Sequence, residues 1–212
     1  MADILGHEVR GLMGAESAEK TGPTVAEEVA YARELSLGGL FIALGIVIPI
    51  AFHAFGGGKL GSVFLPMYLP VLACAMLVSP PIAAAVGLLT PVLSSALTGM
   101  PPVLPTLPMM VAELVVMATL ASVLHRRMKL HALPAVVAAL LSGRVVMGLM
   151  AWLLVSALPL GMQESLPAIM RTPLTYVGAA TVSAIPGLIL QIVAVPAVVA
   201  IVERRRAGGS GS

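Results

Sequence analysis

The sequence predicts an all-α fold, a polytopic membrane protein built as a bundle of six transmembrane helices with kinked, proline-rich segments. Three observations carry this expectation. Of 212 residues, 58% are hydrophobic and 10% charged, against about 25% charged in an ordinary soluble domain, and mean hydropathy is +1.02. Apolar runs recur along the chain, each near the roughly 20 residues needed to cross about 30 Å of hydrocarbon. Residues 61–102 are apolar almost throughout yet carry Pro66, Pro70, Pro80, Pro81, Pro91, Pro101 and Pro102. An interior proline removes a helix hydrogen bond and clashes with the preceding turn. Membrane bundles accommodate this because neighbouring helices and hydroxyl side chains re-satisfy the freed carbonyls.

Residues 1–35 form a polar N-terminal segment in which Thr24 and Glu27 compose a capping box, opening a short helix through Arg33. The membrane domain covers 36–203. Its first span is 37–52, kinked by Pro49 at the outer end. The loop HAFGGGKLGSVF follows and reads as a mobile lid, because glycine permits backbone conformations that other residues resist. The second span, 64–78, is broken by Pro66 and Pro70, and Ser79-Pro80-Pro81 connects it tightly to a third, 82–97. TGMPPVLPTLP leads to the fourth span, 109–124, and HRRMKLH to the fifth, 135–158. PLGMQESLPAIMRTP precedes the sixth, 174–202. Residues 204–212 are a basic tail ending in GGSGS, which resembles an appended linker. No cleavable signal peptide is expected, since the first apolar run begins only after Ser36.

Lysine and arginine placement sets the expected orientation. Arg10, Lys20, Arg33, Arg126, Arg127, Lys129, Arg204, Arg205 and Arg206 fall on one side, and only Lys59 and Arg171 on the other. Both termini are therefore expected in the cytoplasm, with the glycine-rich and GMPP loops facing outward.

Several chemistries are disfavoured. Cys74 is the only cysteine, HExxH is missing and no second histidine is spaced to join His53, so no metal site is expected. GGGKLG lacks the GxxxxGK[ST] spacing of a phosphate loop. Ser94 or Ser95 with His53 has no GxSxG context, so an enzyme is not expected.

The polar groups inside the apolar runs are the candidate binding residues. Tyr68, Ser94, Ser95 and Thr98, flanked by Met67 and Met100, cluster where the proline-rich spans should open into a small-molecule cavity. Met109, Met110 and Met147 are further candidates for an adaptable apolar wall. His53 can exchange hydrogen bonds with a ligand, and Lys59 at the tip of the glycine loop can close over an anionic one. Glu113 and Arg144 are charges within spans, each costing at least about 2.5–3.5 kcal/mol if unpaired. They either pair with one another or meet a polar substrate, Arg144 suiting a carboxylate. Gln191 must also find a partner. Gly39 and Ala43, with Gly38 and Gly45 alongside, form a small-residue face that allows close helix approach, within the bundle or to a separate subunit.

FIALGIVIPIAFHAFG, FLPMYLPVLACAMLVSP and VGLLTPVLSSALTGMPPVLPTLPMMVAELVVMATLASVLHRR resemble the substrate-binding S-components of energy-coupling-factor (ECF) vitamin transporters. The resemblance covers residues 36–127, with the last two spans matching by hydropathy and length. It implies a six-helix fold with an outward cavity lidded by the loop between helices 1 and 2. It also implies a transmembrane coupling subunit and two cytoplasmic ATPases as partners, ATP being bound by those partners and no cofactor by this chain. Gly39-Leu-Phe-Ile-Ala43 occupies the place of the small-residue motif that docks on the coupling subunit. The implied mechanism is toppling of the loaded subunit in a prokaryotic cell membrane. A solitary, ion-coupled transporter is the alternative. Pantothenate, a folate-like compound or a cobalamin precursor all suit the residues, which do not choose among them.

Overall fold

The computed structural model describes residues 24–157 and 172–208, excluding the side chains of residues 53, 55–60, 62, 206 and 207. Among the described residues there are seven α-helices: α1 (Val25–Phe64), α2 (Tyr68–Leu77), α3 (Pro80–Thr98), α4 (Thr106–Ser122), α5 (Ala132–Ala157), α6 (Pro173–Ser183) and α7 (Ile185–Gly208). A π-helical turn, Val123–Arg127, extends α4. Five segments are long and apolar enough to cross a membrane: Val25–Phe52, Pro80–Thr98, Thr106–Arg127, Ala132–Ala157 and Ile185–Arg205. Tyr68–Leu77 is apolar but shorter.

The expected capping box opens α1. Thr24 N donates to Glu27 Oε2 at 2.7 Å, and Glu27 N donates back to Thr24 Oγ1 at 3.3 Å. The helix does not stop at Arg33; it runs on into the first span as one rod of 40 residues. The expected glycine loop is also helical, so the connection to α2 is only residues 65–67 and no lid loop lies between them. Glycine costs roughly 1 kcal/mol relative to alanine in a helix, a preference and not a bar, and the helical backbone continues through the run to Phe64. Leu65, in the left-handed region at φ 47°, ends the rod.

The second span is cut down to ten residues, and it forms the centre of the bundle. Every residue of α2 except Leu69 is buried, enclosed by α1, α3, α4 and α7. Pro70 stands in its first turn, where the N–H would have no intrahelical partner in any case. Leu72 and Met76 of α2 meet Leu114 and Met117 of α4 in the core, with Val195 and Val199 from α7. Pro49, Pro91 and Pro196 lie inside continuous helices. The expected sixth span is divided in two. Backbone at Ala184 closes α6 through bonds to the carbonyls of Ala180 and Thr181, and Pro186 falls in the first turn of α7.

Two glycines set close approaches. A Cβ on Gly87 would lie 2.7 Å from the Leu114 carbonyl oxygen where α3 crosses α4, and one on Gly187 would lie 2.6 Å from the Phe64 carbonyl oxygen. At the end of the bundle where α2 finishes, Glu34 accepts from Ser79 N at 2.7 Å and from Arg126 Nη1. Arg126 Nη1 also donates to Leu77 O at 3.1 Å, and Ser122 Oγ donates to Val78 O at 2.7 Å. The tight turn between α2 and α3 is thereby pinned to α1 and α4.

Candidate functional site

A cavity of about 500 Å³ opens at the other end of the bundle, where α2 begins. Its position follows from the length of α2. Ten residues at 1.5 Å each give roughly 15 Å of helix, about half the hydrocarbon thickness, and the cavity lies off the start of that short rod. Leu65, Pro66, Met67 and Tyr68 line it from the α1–α2 connection and the start of α2. Pro49, Ile50 and Gly61 line it from α1, Ser94 and Thr98 from α3, Met100, Pro101 and Pro102 from the following loop, and Met110 from α4. No ionised side chain lines it among the described residues.

The hydroxyls of α3 are engaged in shaping the cavity wall. Ser94 Oγ donates to Met100 O and Ser95 Oγ to Pro101 O, both at 2.8 Å. Thr98 Oγ1 donates to Ser94 O at 2.7 Å and accepts from Met100 N at 3.2 Å. Prolines 101 and 102 cannot donate backbone bonds of their own, so these side chains substitute for the missing ladder and hold the loop over the site. Gly99 at φ 72° supplies the left-handed residue that ends α3 there.

Beneath the cavity is a buried polar cluster reached through Tyr68. Its hydroxyl donates to Glu113 Oε2 at 2.7 Å. Arg144 Nη2 approaches Glu113 Oε1 at 2.6 Å, but without a well-directed hydrogen bond, so Glu113 Oε1 and Arg144 Nε and Nη2 have no aligned partners among the described residues. The contact is an ion pair held by charge more than by direction. The guanidinium carbon also lies 5.8 Å from the Tyr68 ring centroid, a cation–π distance, and Arg144 Nη1 faces Met147 Sδ at 3.6 Å. Gly143 makes room for this arrangement, since a Cβ there would come within 3.2 Å of Glu113 Cγ.

The family model described as "ECF transporter, substrate-specific component" matches residues 33–199. The chain belongs to that family. No curated protein and no solved structure matched it. Substrate-specific components are subunits of membrane transporters, and membership implies association with the transmembrane and ATPase components of ECF transporters.

Within this S-component, the structure brings Met67, Tyr68, Thr98 and Met100 together on one cavity. Ser95 stands behind its wall. Glu113 and Arg144 do not line it; they face each other and connect to it through Tyr68. The side chains of His53 and Lys59, and residue Arg171, lie outside the described residues. Of the expected methionine wall, Met110 lines the cavity, whereas Met109 and Met147 pack with Ala151 in a separate cluster. Gln191 Nε2 donates to Leu65 O at 3.4 Å, tying α7 to the α1–α2 connection, and its Oε1 is buried without a partner among the described residues. Sequence reasoning missed Pro49, Leu65 and Pro66 as lining residues, although the FLPM element that contains two of them was visible. The small residues of α1 divide. Gly38 and Gly45 are buried, their hydrogens facing Ile82 and Thr90, while Gly39 and Ala43 are exposed on the outer face.

Proposed function

We propose that this S-component captures a vitamin or vitamin precursor from outside the cell and releases it inward by toppling, driven by partner ATPases that alone bind ATP. The observation that carries the reading is the apolar cavity above Tyr68, at the end of the bundle opposite Arg126. Its volume falls within the roughly 300–1,000 Å³ usual for small-molecule sites. The excess of lysine and arginine on the side holding Arg126 and Arg204 supports a cytoplasmic placement of both termini in a prokaryotic cell membrane, which turns the cavity outward. Counting the short α2 with the five longer segments supports six crossings. The exposed Gly39 and Ala43 supply a face on α1 for the transmembrane coupling subunit. In the alternative of a solitary ion-coupled transporter, Glu113 is the candidate proton carrier, and its contact with Arg144 weighs against that reading.

Native mass spectrometry of the detergent-purified chain, gently released, tests the proposal. A retained adduct of vitamin size is expected. An empty spectrum, together with no thermal stabilisation by a panel of vitamins and their precursors, would overturn it.

A further inference from the structure

A second cavity, of about 660 Å³, lies at the opposite end of the molecule, between the π-helical turn, the start of α5 and α7. Its chemistry differs from that of the first. His125, Arg126, Lys129 and His131 line it, and Glu203 is the one carboxylate among the described lining residues. Arg126 pairs with Glu34 and His125 faces Glu203, so Lys129 is the one charged lining group without a counterion among the described residues.

Part of this set is already engaged. His125 Nδ1 lies 2.8 Å from Leu130 O and Nε2 lies 3.2 Å from Glu203 Oε1, while Arg126 is held by Glu34 and Leu77. These contacts fix the wall. The side chains of Lys129 and His131 are exposed and make no hydrogen bond or ion pair with the described residues. Lys129 sits at φ 53°, where the chain reverses out of the π turn, and Leu130 N closes that reversal on Leu124 O at 2.9 Å. Ala132 and Leu133, the first residues of the 26-residue α5, line the same space. First-turn N–H groups have no intrahelical partner and carry the positive end of the helix dipole, which suits an anion. Met128 and Leu133 are 65% and 51% exposed beside this polar wall, so an apolar rim adjoins the cationic groups.

We propose that this cavity binds a phosphate group, carried by an anionic phospholipid whose acyl chains lie along the apolar rim. One phosphodiester charge matches the one unpaired cation of the wall, Lys129, and basic pockets between membrane helices suit such headgroups.

The test uses the full purified chain and reads its thermal midpoint, because a ligand that binds only the folded state raises it. Wild type is compared in phosphatidylcholine nanodiscs, in nanodiscs containing phosphatidylglycerol, and in detergent with inorganic phosphate. Phosphatidylglycerol should raise the midpoint by several degrees over phosphatidylcholine. The double variant Lys129→Ala/His131→Ala should lose most of that rise. Arg204→Ala/Arg205→Ala, which removes exposed charge outside the cavity lining, should keep it. A comparable rise from inorganic phosphate that also depends on Lys129 and His131 would uphold the site with free phosphate as its source. The proposal fails if neither phosphatidylglycerol nor phosphate shifts wild type, or if the rise survives loss of Lys129 and His131. It also fails if the Arg204/Arg205 variant loses as much, since the attraction would then be diffuse.

Discussion

Replacing Arg144 with alanine should destabilise the protein severely, because Glu113, only 3% exposed, would keep a buried charge with no counterion. Its remaining partner would be the Tyr68 hydroxyl at 2.7 Å. Breaking one side of a buried ion pair costs about 3–5 kcal/mol. At about 2–4 °C of midpoint per kcal/mol for a chain of this size, the expected fall is roughly 6–20 °C. Removing both charges should cost far less, since replacing a whole buried pair by neutral groups of similar volume is often neutral or stabilising by about 1–4 kcal/mol. Glu113→Gln with Arg144→Met is the suitable double variant, as glutamine keeps an acceptor for Tyr68. Thermal unfolding of wild type, Glu113→Gln, Arg144→Met and the double variant in one detergent gives the coupling directly. Wild-type midpoints, within about 2 °C, for Arg144→Ala and the double variant alike would refute the reasoning, because the pair would then carry no buried charge.

Other variants follow from individual contacts. Tyr68→Phe should lower stability by about 1.5–3 kcal/mol, the worth of a hydrogen bond to a charged group, and an unchanged thermal midpoint would show that the hydroxyl is not engaged with Glu113. Gly87→Val should cost at least about 1–3 kcal/mol through overpacking against the Leu114 backbone. Gly39→Ala, where a Cβ meets nothing within 4 Å, should leave the same melting curve untouched. Bulking Gly39 or Ala43 to leucine should spare ligand binding by the isolated subunit yet block uptake by the assembled transporter. Loss of binding in the isolated subunit would show that this face packs internally.

The membrane class, the α1 cap and several residues that line the cavity were legible in the sequence because each depends on local chemistry. Charge depletion marks the bilayer, and Thr24 with Glu27 forms its box within a single turn. The end of α1 was not legible. A run of glycines reads as a loop by propensity, yet the helical backbone continues through it to Phe64. Pro186 was visible but was placed inside a long span, whereas the structure uses it to start a new helix. At the site, Ser95 and Thr98 were recognised as polar groups in an apolar helix. Their engagement with the loop could not be read, since it depends on where Met100 and Pro101 turn back. The approach of Glu113 to Arg144 was one of two open readings, and spacing along the chain cannot select it; Gly143 permits it only through the crossing of α4 and α5.

The shortness of α2 also bears on how the protein is made. A segment of roughly 15 Å cannot partition into a bilayer as an independent span, and in the finished bundle it presents almost no surface to lipid. It must therefore enter the membrane together with a neighbour. Α3 is the natural companion, joined to it through the turn at Val78 and Ser79 that Glu34 and Ser122 later clasp. The innermost helix is then the one whose placement waits on the others. Biogenesis would proceed from the lipid-facing helices inward, with closure around α2 as the step that completes the floor of the cavity.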